Sequence, residues 1–208
     1  MNQPVSMPAP QSDDRRYRLR MSATFVDDHS ENEASRTAVS AAPGAESKQA
    51  FVGAMSRRVS SVNLVATDGE AGRFGLTVTS MCSVSAEPPL VMIGINRNSP
   101  MCQAISVNGC FAINVLAVQQ KHLADSFSGI GLEQHCYDFS QACWYAGVTG
   151  SPVLADGAAS FECELASFQD VGSHRMFLGR VIKASKGSSA TLCYSERGYK
   201  YARTIKVS

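Results

Sequence analysis

Phe74 to Ser80 alternates Leu76 and Val78 with Thr77 and Thr79, a period of two that predicts a strand with one apolar and one hydroxyl-bearing face. Leu90 to Ile95, opened by Pro88-Pro89, is apolar on both faces and predicts a central strand. Val59 to Thr67 reads as another, closed by the turn signal Asp68-Gly69. Cys110 to Leu116 follows the same logic. Later, Phe161, Cys163 and Leu165 alternate with Glu162 and Glu164. Beyond a hairpin tip at Asp170-Val171-Gly172-Ser173-His174, the residues Met176, Leu178, Arg180 and Ile182 alternate on the return. Leu192 to Tyr194 gives a last short strand.

Helical signals are fewer. Ser99-Pro100 supplies a hydroxyl for the N-cap and a proline for the first helical position, and Asn108-Gly109 stops the helix after Val107. Gln119 to Phe127 sets Leu123 and Phe127 four apart on one face, and Ala50 to Met55 suggests one more short helix. Five to seven strands with two or three short helices, and no βαβ alternation, favour a closed β-barrel over a Rossmann sheet.

The chain has 208 residues, room for about one domain and an appendage. Residues 1–48 hold four of the eight prolines, no Ile, Trp or Cys, and a single Leu, Leu19. Such a segment buries too little apolar surface to offset its ordering entropy, so it is expected to be disordered or loosely docked, with the folded domain at 49–208. The formal net charge of +1 argues against an electrostatically driven nucleic-acid binder. The longest run free of polar side chains, Pro88 to Ile95, falls far short of the ~20 residues of a membrane span, so no membrane association is expected. Seven scattered cysteines without a CxxC pair predict buried apolar thiols, no metal site and a cytoplasmic location.

Nucleotide-binding and hydrolase motifs of the GxGxxG, GxxxxGK[ST], HExxH and GxSxG types do not occur. The segment GLTVTSMCSVSAEPPL puts Thr77, Thr79, Ser80, Ser83 and Ser85 beside strand backbone. It reads either as an ordinary hydroxyl-rich edge strand or as a surface for a flat heteroaromatic ring with donors and acceptors along one edge. Asn96-Arg97-Asn98-Ser99-Pro100 leads from a buried strand into a helix, an arrangement suited to an anion. His122 and His135 acquire no role, and Trp144 and Tyr145 read as packing residues.

In order along the chain, GLTVTSMCSVSAEPPLVMIGINRNS, GCFAINVL, VGSH and LGRV resemble the short-chain flavin reductases. These are the reductase partners of two-component aromatic monooxygenases of the 4-hydroxyphenylacetate and chlorophenol type. The resemblance implies a mainly β, FMN-binding split β-barrel of Greek-key topology with a few short peripheral helices. It also implies a homodimer and NAD(P)H-dependent reduction of FMN or FAD for a separate oxygenase. It places the flavin ring on Thr77, Val78, Thr79 and Ser80, with Cys82, Ser83 and Ser85 along the ring and ribityl chain. Asn96, Arg97 and Ser99 would hold the phosphate end, and Arg197 and Tyr199, from an Arg-x-Tyr pattern, would flank the pocket. His174 would be the catalytic, nicotinamide-contacting residue of a Gly-Asp-His turn in which Ser173 stands for Asp; the other reading is a solvent-exposed tip histidine. A non-enzymatic flavin-binding protein on the same barrel is the alternative, with a pyridoxamine-phosphate-oxidase-like enzyme ranked last.

Overall fold

Between Phe74 and Ala86 the chain forms two strands joined only by Thr79 and Ser80: β3 (Phe74–Val78) and β4 (Met81–Ala86). They lie at opposite ends of one antiparallel sheet. Its strands are ordered β3, β2 (Asn63–Thr67), β6 (Cys110–Val115), β9 (Ala159–Val171), β10 (His174–Lys186), β5 (Pro89–Asn96) and β4. A flat sheet of seven strands would hold its edges about 29 Å apart, far beyond the reach of a two-residue link, so the sheet is rolled into a barrel. The computed structural model describes residues 44–128 and 138–205.

The barrel interior is filled by Val65, Val91, Ile93, Ile95, Phe111, Ile113, Cys163 and Phe177, capped by Met101 and Ile105 of helix α2 (Pro100–Asn108). Each such side chain contributes roughly 1.5–3 kcal/mol by leaving water. Gly109 ends α2 at φ +68, a left-handed conformation glycine adopts without a Cβ penalty. A second cluster lies outside the barrel wall. There Leu64 and Ala66, on the other face of β2, pack with Leu116, Leu123, Phe127, Leu154 and Leu192. Leu123 belongs to helix α3 (Lys121–Ser126), and Phe127 directly follows it. Leu154 closes β8 (Pro152–Leu154), which pairs with β7 (Trp144–Ala146). Two-sided burial explains why β2 has no polar face, and Asn63 and Thr67 at its ends are buried on hydrogen bonds.

The barrel, the helix start at Pro100, the Leu123–Phe127 pair and the 170–174 tip match the sequence expectations. Other details differ. The expected strand Val59–Thr67 is two elements. β1 (Ser60–Ser61) pairs with β11 (Leu192–Ser195), and only β2 enters the barrel. A further strand, β12 (Gly198–Tyr201), returns against β11. Helix α1 (Ala45–Ser56) begins five residues before the expected Ala50, inside the stretch assigned to the extension. Strand β5 is central between β10 and β4, but only Val91, Ile93 and Ile95 are fully buried; Leu90, Met92 and Gly94 are half-buried. His135 lies outside the described residues.

Candidate functional site

Strand β5 ends at Asn96, and a tight loop carries the chain into α2. Asn96 Oδ1 accepts the Asn98 amide at 2.9 Å, and Asn96 O accepts the Ser99 amide at 2.9 Å. The Arg97 amide donates to Ser173 O at 3.0 Å, fastening this loop to the β9–β10 hairpin tip, where Gly172 takes φ +58. His174 pairs with Asn96 in the β5–β10 ladder. The β3–β4 link reaches the same strand end: Ser80 Oγ donates to Gly94 O at 2.5 Å, and the Gly94 amide to Ser80 O at 3.0 Å. Gly94 precedes Arg97 by three residues, about 10 Å of extended chain. Thr79-Ser80 and Asn96-Arg97 therefore share one end of the barrel.

Two cavities open from these residues. The larger, about 450 Å³, is lined by Asn96, Arg97, Asn98, Cys102, Gln103, Ser173 and Arg175. Arg175 makes a two-pronged ion pair with Asp170, Nε to Oδ1 at 2.6 Å and Nη2 to Oδ2 at 3.1 Å, and its guanidinium lies 4.4 Å over the Phe168 ring. Arg97 Nε stands 3.5 Å from the same carboxylate. Hydrogen bonding from Arg175, reinforced by the charges of Arg175 and Arg97, holds the Asp170 carboxyl below the usual carboxylate range. Cys102 is 3% exposed; burial pushes its thiol up, and the two arginines only partly oppose that.

The smaller cavity, about 280 Å³, is bounded by Val52, Met55, Ser60, Thr79, Tyr194 and Arg197, together with Ser56, Arg58 and Ser195. Its shape depends on a two-residue hairpin turn in which both Glu196 and Arg197 are left-handed, at φ 52 and 59. Non-glycine residues resist that conformation, and the turn is held from outside. The Glu196 amide donates to Ser56 O at 2.6 Å, and its carboxylate pairs with Arg57 and Lys200. The end of α1 and the turn thus both border the cavity, to which Arg197 and Thr79 each contribute. A lining of apolar side chains, hydroxyls and the cations Arg58 and Arg197 suits a flat ring with a polar edge, and the Arg97–Arg175 cavity suits phosphate. The residues present therefore fit a phosphorylated flavin.

Several expected ligands take other places. Val78 points into the barrel core, 8% exposed, so its side chain is not placed to face a ring. Thr77 is half-buried and its polar groups are taken: its hydroxyl donates to Ala124 O at 2.9 Å and its amide to Phe127 O at 2.8 Å, anchoring the end of α3. Tyr199 does not flank either cavity. Its hydroxyl donates to Asp125 Oδ1 at 2.8 Å, and burial together with that carboxylate pushes the phenol well above the usual tyrosine range. The Ser99 side chain makes no cap hydrogen bond. Cys82, Ser83 and Ser85 are spread along β4 and line neither of the two cavities. A bulge at Val84 interrupts that ladder, and Ser85 Oγ is bonded to the Glu87 backbone at 3.1 Å. His174 is exposed, with the Ser173 hydroxyl 2.9 Å from Nδ1, on the opposite side of β10 from Arg175.

Three contributors escaped the sequence reading. Arg175 carries no signal of its own beside His174, and Asp170 reads as part of the hairpin tip. Tyr194 joins Thr79 in lining the smaller cavity because β11 pairs with β1, a register no local pattern shows. Trp144 packs between Phe127 and Phe139 as expected, whereas Tyr145 is exposed. Among the described residues, no cluster of metal-ligating side chains occurs, and no helix is long and apolar enough to cross a membrane.

A rolled antiparallel sheet with a hydroxyl link, an arginine cavity and an apolar cavity at one end defines a flavin-site barrel. The family model described as flavin reductase like domain matches residues 55–203, and the chain belongs to that family. It is 36% identical over 162 residues to an FMN reductase (NADH) RutF of Variovorax paradoxus, covering 77% of this chain and 88% of the relative. It is 40% identical over 136 residues to the 4-hydroxyphenylacetate 3-monooxygenase reductase component of Salmonella typhi, covering 64% and 78%. A solved NADH:FAD oxidoreductase of Streptomyces globisporus, in complex with NAD and FAD fragments, superposes with a TM-score of 0.68 at 26% identity, covering 77% and 94%.

Proposed function

We propose that this protein is an NADH-dependent flavin reductase that reduces FMN or FAD and releases the reduced flavin to a separate oxygenase component, acting as a cytoplasmic homodimer. The observation that carries the reading is the Ser80–Gly94 connection. It brings Thr79 and its cavity to the same strand end as Arg97 and its cavity, so one ligand with a ring and a phosphate can engage both.

In this reading Thr79 and Arg197 orient the ring, and Arg97 with Asn96 and Ser99 holds the phosphate end. The Arg197 guanidinium is suited to stabilising negative charge that develops on the ring edge. Bound flavin supplies the two-electron acceptor for the hydride of reduced nicotinamide, which becomes NAD⁺, and one solvent proton completes the balance. His174, at the exposed tip, positions the nicotinamide nucleotide. Hydride transfer asks no general base of the protein. The reductase names of the curated relatives favour this reading over a non-enzymatic flavin carrier.

Dimerisation is supported by apolar side chains left open on the β9–β10 hairpin: Phe168, Val171 and Ile182 are 48%, 49% and 44% exposed. Light scattering should give a particle of twice the 22.2 kDa chain mass. The activity test is NADH oxidation with FMN or FAD added, followed at 340 nm. Purified protein that oxidises NADH no faster than free flavin alone would refute the proposal.

A further inference from the structure

We infer that the cavity between Arg97 and Arg175 is a diphosphate subsite, and that Arg175 is the residue that favours a dinucleotide over a mononucleotide there. The inference rests on the flavin reductase reading for the rest of the ligand, but the subsite itself follows from side-chain geometry.

Arg175 is the better fixed of the two cations. Its side chain is 20% exposed, stacked on Phe168, forked onto Asp170 and bonded through Nη1 to Ser106 Oγ at 3.2 Å. Those contacts use three of the five guanidinium N–H groups, leaving donors for the cavity that Arg175 lines. Arg97 is looser: its side chain is 51% exposed, with contacts to Asp170 Oδ2 and Gly172 O both at 3.5 Å. Asp170 therefore links two guanidiniums across one cavity, one rigid and one able to adjust.

The charge pattern decides between phosphate types. A terminal phosphate monoester concentrates about −1.5 to −2 charges on one group, close to the Asp170 carboxylate. A diphosphate diester spreads single charges over two neighbouring groups, so each can face one guanidinium while Asp170 stays paired. A cavity of about 450 Å³ has room for both groups. FAD and NADH each carry such a diphosphate, and the chemistry of the subsite is common to them.

Arg175→Ala and Arg175→Lys, compared with wild type, test this. Oxidised FAD and FMN are titrated by flavin fluorescence without reductant, the Michaelis constant for NADH is measured with FMN as acceptor, and inorganic pyrophosphate and phosphate binding are measured by calorimetry. Wild type should bind pyrophosphate more tightly than phosphate. Arg175→Ala should erase that preference and weaken one dinucleotide by about tenfold or more relative to FMN. Arg175→Lys should restore only part of it, since a point charge replaces a fork. A changed FAD-to-FMN ratio identifies the flavin as the source of the diphosphate. A raised Michaelis constant for NADH with an unchanged ratio identifies the nicotinamide nucleotide. Equal weakening of FAD, FMN and NADH, no weakening of any, or equal binding of pyrophosphate and phosphate by wild type overturns the inference. If Arg175→Ala does not fold, the lysine variant and the wild-type calorimetry decide on the same criteria. Calorimetry needs no turnover, so pyrophosphate selectivity in a protein that reduces no flavin would refute the proposed activity and leave the subsite standing.

Discussion

Arg97→Ala separates a ligand-holding cation from a structural one. In the protein alone, its guanidinium has an ion pair to Asp170 at 3.5 Å and a contact to Gly172 O at 3.5 Å, both long, on a side chain 51% exposed. A pair of that kind contributes about 0–1 kcal/mol to stability. The loop does not depend on it, since the Arg97 amide, which alanine retains, donates to Ser173 O and Asn96 closes the turn. Melting temperature should fall by no more than about 3 °C. A charge-assisted bond to phosphate contributes about 1.5–3 kcal/mol, so FMN affinity should weaken by about 10- to 150-fold. Flavin fluorescence titration at low ionic strength reads the second quantity and a thermal melt the first. Unchanged FMN affinity, or a large loss of stability with affinity intact, refutes the assignment of Arg97 to the phosphate.

Other perturbations probe the remaining parts. His174→Ala should raise the Michaelis constant for NADH with flavin affinity nearly unchanged, read from steady-state kinetics at saturating flavin. Ser173→Asp, which places a carboxylate beside the histidine proposed to contact the nicotinamide nucleotide, should shift selectivity toward NADH over NADPH by about fivefold in kcat/KM, a like-charge effect of ~1 kcal/mol on the extra phosphate; equal ratios in both proteins would refute it. Gly179→Ala should destabilise the barrel by roughly 1–3 kcal/mol in urea unfolding, because its Cβ would overlap the Phe111 ring and sit 2.9 Å from Cys163 Cβ. Burial pushes the Asp125 carboxyl up, but hydrogen bonds from Lys121 and Tyr199 overcome it and leave the group below its ordinary value. Its folded pKa is thus lower than the unfolded one, so its stabilisation is complete above the unfolded pKa and fades as pH falls through the folded one. Asp125→Asn should flatten the acid limb of stability against pH, checked by melts between about pH 5 and 3.

Elements whose signals are local were legible in the sequence. The period-two pattern of β3, the Ser99-Pro100 start and Gly109 stop of α2, and the Leu123–Phe127 spacing depend on neighbours a few residues apart. What was hidden depends on distant pairing. Val59 to Thr67 contains no breaker, yet the chain leaves one sheet for another at Val62, whose amide bonds to Leu192 O. Glu162 sits in an alternating pattern that reads as outward-facing, but the Gly147–Val148 turn covers it. The Val148 amide donates to its carboxylate, and Lys183 Nζ stands 3.3 Å away. The site divides the same way. Thr79 and Arg97, which line the two cavities, are singled out by order along the chain, whereas Arg175 gains its carboxylate partner only when the β9–β10 register sets it opposite Asp170. Tyr199 shows the converse error: a pattern predicted its neighbourhood, and Asp125 claimed its hydroxyl.

The placement of negative charge at the hairpin tip follows from β periodicity. Asp170 and Arg175 are partners in one rung, and Val171 and His174 in the next, so the two rungs present opposite faces of the ribbon. A carboxylate at 170 therefore cannot substitute for the one missing at 173, although only four residues separate it from His174. Its charge serves the arginine side, where it fixes Arg175 and tethers Arg97. Ser173 leaves the histidine side with a hydroxyl 2.9 Å from Nδ1. One short hairpin thus carries two separate environments, a face built from the Asp170–Arg175–Arg97 charge network and a face where the histidine has a hydroxyl neighbour, and a change on one rung alters its own side without rebuilding the other.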